Sequence, residues 1–233
     1  MNKVLELLLK AISRSALSRL VGKLVSLELP TPFNYYINRL FVVMFKIEIT
    51  EAQRPLKEYK SIQDVFTRKL KDSARPVESD FCSPADGVVL QVMETNGPKE
   101  LNLENKKFTK VSIFMNVFDC HVNRSPCSGA IEDILYVAGK FLNASLDKAS
   151  EDNERNYYKI KNSFGEEIVV VQIAGLVARR IVTETSKGEK LEQGSRIGMI
   201  RFGSRAELYF ENYKPLVKVD QKTIAGETLI AKR

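Results

Sequence analysis

Hydrophobic and polar positions change rhythm once along this chain. Through residues 2 to 29, which hold no Pro and a single Gly, Leu5, Leu8, Leu9, Ile12 and Ala16 recur at helical spacing. Arg19 and Lys23 then fall in the same angular sector, so the pattern predicts two short helices, the second capped by Ser13 or Ser15. A further helix is expected from about Pro32 to Lys46. Another begins at Ser61, where S-x-x-D stands as a capping box before Val65, Phe66 and Leu70. Residues 1 to 75 are therefore read as a helical region, and Arg75-Pro76 with the polar residues up to Asp80 marks its end.

From residue 76 to 233 the chain reads as β. Short runs rich in Val, Ile, Phe and Tyr predict strands at Gly87 to Met93, Val111 to Val117, Ala130 to Val137, Tyr157 to Lys161 and Ile168 to Ile173. Others are expected at Val177 to Thr183, Ile197 to Phe202, Ala206 to Phe210, Leu216 to Val219 and Thr228 to Ala231. Ser163 to Glu167, with Gly165 inside it, reads as a hairpin connection. Many short strands separated by Gly, Asn or Ser predict an α+β protein with a mainly antiparallel β barrel or sandwich core, rather than a βαβ fold.

Charge narrows the partners. Lys and Arg total 36 against 29 acids, a formal charge of +7 that favours an anionic partner, either nucleic acid or a lipid surface. No helix-turn-helix signature, zinc-finger spacing or aromatic RNP run accompanies it, so no nucleic-acid partner is expected. Up to residue 24, Lys3, Lys10, Arg14, Arg19 and Lys23 stand against Glu6 alone, a composition suited to an anionic membrane face. The same periodicity equally fits packing on its own domain or on a dimer partner. The run Leu40 to Phe45 falls far short of the roughly 20 residues that span a bilayer, and charges interrupt any secretory signal, so an intracellular protein is expected. Cys82, Cys120 and Cys127 lack a C-x-x-C pair and are read as structural thiols.

His121 is the sole histidine, which excludes zinc hydrolases that need two or more histidine ligands, and no metal site is expected. In SPADG, residues 83 to 87, Pro84 stiffens the chain and Gly87 permits a tight turn before a strand, so Asp86 reads either as a turn residue or as a functional carboxylate. In RFGSR, residues 201 to 205, Gly203 and Ser204 are wedged between strand-like runs. That is either a bend or a place where the Ser204 hydroxyl can reach the Gly203 carbonyl without a side chain in the way.

SPADG, then D-x-H-x-x-R-x-P at 119 to 126, NERN at 153 to 156, AGLVARRIV at 174 to 182 and G-x-RIGMIRFGSR at 194 to 205 occur in the order found in phosphatidylserine decarboxylases, which the chain resembles over residues 82 to about 213. Gly-Ser-Arg is similar to the shorter branch of that family. SIQDVFTRKLKDSARPV, residues 61 to 77, looks like the longer branch, which docks on membranes through helices.

The resemblance implies a proenzyme that cuts itself between Gly203 and Ser204, giving chains 1–203 and 204–233 and a pyruvoyl cofactor made from Ser204. It further implies His121 as base oriented by Asp86, and decarboxylation of phosphatidylserine to phosphatidylethanolamine through a Schiff base. The implied partners are the phospholipid substrate, an anionic membrane surface on the cytoplasmic side of the cell membrane, the two cleaved chains and a possible homodimer. Longer-branch relatives carry a second histidine where this chain has Arg124. Arg124, Arg179, Arg180 and Arg205 are candidates for binding the substrate carboxylate or phosphate, or else for structural ion pairs. Two other readings stand beside this one: a decarboxylase of another serine-headed lipid, and a non-enzymatic biotinyl- or lipoyl-like barrel module suggested by SPADGVV and VDQKTIAGETLIA.

Overall fold

The computed structural model describes residues 22–77, 81–116, 119–140, 142–145, 149–175, 181–201 and 204–233. The expected helices before Gly22 lie outside the described residues. Helix α1 spans Phe33–Met44 and helix α2 Ile62–Phe66. Strands β1 (Phe81–Cys82), β2 (Gly87–Asn96), β3 (Lys107–Met115), β4 (Val122–Arg124) and β5 (Gly129–Val137) follow, then the single turn of α3, Ala149–Asp152. Next come β6 (Arg155–Asn162), β7 (Glu167–Ala174), β8 (Ile181–Thr183), β9 (Lys190–Leu191) and β10 (Arg196–Ile200). The chain closes with β11 (Ser204–Phe210), β12 (Lys214–Pro215), β13 (Lys222–Thr223) and β14 (Leu229–Lys232).

One eight-stranded sheet, ordered β13-β2-β3-β11-β7-β6-β5-β9, curls into a half-barrel. Two three-stranded sheets, β1-β14-β12 and β4-β10-β8, complete the β unit, and every pairing between these strands is antiparallel. Period-two alternation sorts the faces: Val111, Ile113 and Met115 of β3 and Ala206, Leu208 and Phe210 of β11 share the main core with Val170 and Ala174 of β7. Each large aliphatic buried there contributes about 1.5 to 3 kcal/mol. A second cluster, with Phe108, Tyr157, Val169, Val171 and Ile173, covers the opposite face of the same strands. The expected antiparallel core is thus present, and no described helix is long and apolar enough to cross a membrane.

Two local expectations give way to tertiary structure. Leu216 to Val219 is not a strand, because Lys218 to Gln221 close a turn: Gln221 N–H donates to the Lys218 carbonyl at 3.1 Å, and Asp220 takes a φ of 67°. The helix from Ser61 stops at Phe66 rather than continuing through Leu70, which instead bridges to Ala52 and packs with Cys120, Val122 and Met199. Its cap forms as expected, with Asp64 N–H donating to Ser61 Oγ at 3.2 Å. The return arm differs, since the Asp64 carboxylate accepts from Lys60 N–H at 3.1 Å. The hairpin at Gly165 forms with φ +80°, a conformation that glycine takes without strain.

Helix α1 is built inside out. Asn34, Asn38 and Phe41 face the protein, both asparagine amides donating to the Tyr59 carbonyl, at 3.4 and 2.8 Å. Phe33, Tyr36, Ile37, Leu40, Val43 and Met44, recurring at three- and four-residue spacing, are exposed.

Candidate active site

Ser204 opens β11, in register with Met115 of β3 on one side and Ala174 of β7 on the other. It is fully buried on the main-core face, and its hydroxyl points to the Met115 sulfur at 3.4 Å. From the other direction the Asn123 amide reaches the same sulfur at 3.8 Å, so β4 and the start of β11 meet across Met115. Asn123 is itself held in a buried chain: Gln172 donates to Asn123 Oδ1 at 2.8 Å, and the Tyr158 hydroxyl donates to Gln172 Oε1 at 2.7 Å. Gly203 lies outside the described residues, as do Arg179 and Arg180.

His121 directly precedes β4 and is 1% exposed, its ring lying 4.7 Å from that of Phe66. Its Nδ1 is 2.9 Å from the Asp119 carbonyl oxygen. A carbonyl can only accept, so Nδ1 carries the proton and Nε2 holds the basic lone pair. Burial lowers the imidazole pKa to about 4, against the opposing pull of the Asp119 hydrogen bond and the Asp86 charge. The ring is therefore neutral and able to accept a proton at neutral pH.

Asp86 acts on His121 through that charge. The contact that orients Nδ1 comes from Asp119 rather than Asp86. The Asp86 carboxylate is gripped by both arms of Arg75, with Nη2 at 2.9 Å, and also accepts Ala225 N–H at 2.8 Å and Cys120 N–H at 3.4 Å. Arg75 in turn reaches Glu51 at 3.1 Å. This buried pair fastens the segment before the sheets to the turn that carries Asp86. Gly87 is required there, because a Cβ would stand 2.2 Å from the Phe114 carbonyl oxygen.

The two described arginine candidates are turned elsewhere. Arg124 donates to the Gly194 carbonyl at 2.9 Å, and alternation along β4 sends it away from Asn123 and the Met115 sulfur. Arg205 follows Ser204 directly and so faces the opposite side of the sheet, 1% exposed and paired with Glu207 at 3.3 Å. Glu207 also accepts the hydroxyls of Ser112 at 3.3 Å and Tyr209 at 2.9 Å. Burial, then the Glu207 charge, raises the Tyr209 pKa and keeps that hydroxyl a donor.

NERN acts by position. Asn153 donates to the Ala174 carbonyl at 2.6 Å, and Ala174 N–H donates to the Glu154 carbonyl at 2.9 Å, fixing the residue paired with Ser204. The three cysteines are free and buried, with burial pushing the Cys127 thiol up to about 12. They are too poorly ionised to be nucleophiles. No cluster suited to a metal ion occurs among the described residues.

Sequence reasoning missed Arg75, Asn123, Gln172 and Met115. Gln172 alone left a usable signal, a polar residue inside the continuous apolar run IVVVQIA, where a buried amide demands partners.

A buried serine opening β11 and a buried, neutral histidine just before β4 are the groups from which serine-centred chemistry could be built. A model described as phosphatidylserine decarboxylase matches residues 62–231, from α2 through β14. The chain belongs to the phosphatidylserine decarboxylase family and is a carboxy-lyase. It is 75% identical over 156 residues to the phosphatidylserine decarboxylase proenzyme of Pelagibacter ubique (strain HTCC1062), covering 67% of this chain and 73% of that one. The proenzymes of Ruegeria pomeroyi and Cereibacter sphaeroides are each 53% identical over 155 residues, 66% of this chain and 71% and 67% of theirs.

Proposed function

We propose that this chain is a proenzyme that cuts itself between Gly203 and Ser204 and then decarboxylates phosphatidylserine to phosphatidylethanolamine. The observation that carries the reading is the burial of Ser204 on the core face of β11, next to the strand that follows a neutral, Nδ1-protonated His121. His121 Nε2 takes the Ser204 hydroxyl proton, and Oγ attacks the Gly203 carbonyl carbon, moving the acyl group from nitrogen to oxygen. Loss of the Ser204 Cα proton expels the Gly203 carboxylate and leaves dehydroalanine. One water converts this to a pyruvoyl group and ammonia. The residues fit that group: it occupies the backbone position of Ser204 with fewer heavy atoms than serine, so it needs no added cavity.

When formed, the pyruvoyl carbonyl supplies an electron sink for the pair left behind by CO₂. The chain's own residues do the rest. Met115, Asn123 and the apolar core face keep water away from residue 204. His121, neutral before the reaction, is the group that carries a proton to the substrate carbon. Asp86, clamped by Arg75, supplies the negative charge that steadies His121 once protonated.

The exposed stripe of α1 supports docking of this enzyme on the cytoplasmic face of a membrane, where its lipid substrate resides. The net positive charge supports an anionic surface. The test is decarboxylation of phosphatidylserine in vesicles by the purified protein, followed as CO₂ release. Abolition by hydroxylamine, which traps carbonyls, is the expected result. Full activity in its presence would remove the pyruvoyl group from the account.

A further inference from the structure

Arg68 differs from the other buried cations near the site. It follows α2 by two residues and is 4% exposed; its Nε is buried without a hydrogen-bond partner, as are those of Arg75 and Arg124, and the difference lies in what the rest of each guanidinium meets. Arg75 has Asp86 and Glu51, Arg124 has the Gly194 carbonyl and Arg205 has Glu207, but no described carboxylate lies within ion-pair distance of Arg68. The Arg68 charge reaches the Glu48 carboxylate without an ion-pair contact, which leaves the buried guanidinium able to take a contacting anion.

Its place says which anion. Two residues before it, Phe66 lies against the His121 ring; two residues after it, Leu70 packs with Cys120 and Val122. The Arg68 charge is close enough to act on both His121 and Cys120. On its other side, α2 shares a core cluster with α1, the helix whose outer face is apolar. Arg68 therefore lies on the segment that joins the surroundings of the histidine to the helix whose outer face is apolar.

We propose that Arg68 is the specificity-determining anchor for the phosphodiester of the serine phospholipid. This rests on the decarboxylase reading above. The substrate offers two anions, its phosphodiester and its carboxylate, and the chemistry selects between them. Negative charge leaves the carboxylate as CO₂ departs, so a guanidinium paired there stabilises the ground state more than the transition state and slows the reaction. The phosphodiester keeps its charge throughout, and the planar fork of arginine matches two of its oxygens.

The test uses the full chain with Arg68→Gln and Arg68→Lys, intact mass first establishing that each has cut itself. For Arg68→Gln the expected result is a KM for phosphatidylserine in mixed micelles raised roughly tenfold to a hundredfold, with a smaller fall in kcat. Inhibition by glycerophosphoethanolamine, which has the phosphodiester and no carboxylate, weakens by a similar factor. Inhibition by O-methylserine, which has the carboxylate and no phosphate, stays as in wild type. Arg68→Lys recovers part of the loss.

An unchanged KM, or weakened inhibition by O-methylserine alone, overturns the proposal. So does failure of both variants to cut themselves, which would make Arg68 a structural cation. If the wild type itself does not decarboxylate phosphatidylserine, the reading of function fails instead. Calorimetric binding of glycerophosphoethanolamine to wild type and Arg68→Gln then still decides whether Arg68 holds the phosphodiester.

Discussion

In α1 two asparagines face the protein while Phe33, Tyr36, Leu40 and Val43 face outward; in β11 every residue but Tyr209 is buried, Arg205 and Glu207 included. Hydropathy alone would have placed these groups the other way round. The difference lies in what each element has for neighbours. β11 has β3 and β7 on its edges and packed clusters on both faces, so even its charges are enclosed and must find each other. Among the described residues α1 has protein on one side only, and its amides are spent on the Tyr59 carbonyl of the adjoining segment. Its hydrocarbon is left uncovered by the described residues, and a membrane is the partner proposed for it.

Chemistry on the buried side gives the largest expected effect. His121→Gln keeps much of the shape and removes the base, so self-cleavage should slow by about a hundredfold to ten-thousandfold, read as the intact-mass time course of freshly translated protein. Cleavage at the wild-type rate would take His121 out of the mechanism. Next comes the charged face of β11. Glu207→Ala leaves Arg205 enclosed without its carboxylate and should cost about 3 to 5 kcal/mol in urea unfolding, whereas a loss under 1 kcal/mol would mean that this face is wet.

Acidity probes the same enclosure. A His121 pKa lowered to about 4 keeps the base neutral through pH 5 to 6, so self-cleavage should persist there and fall off only as pH drops through about 4. The linked stability has the same sign. The unfolded chain binds this proton at the ordinary histidine pKa of about 6.5, so stability is whole above that value and declines as pH falls toward 4. An acid limb near pH 6.5 in the cleavage profile would show an exposed ring. The smallest effect on folding is expected on the outer face of α1. Leu40→Ser with Val43→Ser should change stability by only about 0.5 kcal/mol per site, yet weaken binding to anionic vesicles by about tenfold in a sedimentation assay. A fall in stability without a fall in vesicle binding would make the stripe a protein contact.

The β unit was legible because its strands carry their own period. Gly87 to Met93, Ile168 to Ile173 and Ala206 to Phe210 fall within observed strands, and the Gly165 turn was visible from its residue. The two-residue strands β1, β9, β12 and β13 are too short to show any period, and they exist because longer neighbours offer them a register. At the site, Ser204 and His121 stood out through motif and scarcity. Arg75 did not: one arginine before a proline has no periodic signature, and its partner Asp86 lies eleven residues on, across a boundary. Arg205 stood among the binding candidates because the expected strand began at Ala206; with β11 opening at Ser204, alternation turns Arg205 to the opposite face.

The central claim, that Ser204 is the reactive serine of a self-cutting chain, is tested most directly by intact-mass measurement of the purified wild type and Ser204→Ala. The account predicts two wild-type fragments, residues 1–203 and 204–233, the second blocked to amine-directed sequencing, and a single uncut chain for Ser204→Ala. A wild type that remains whole, or a Ser204→Ala protein that still divides after Gly203, would contradict it.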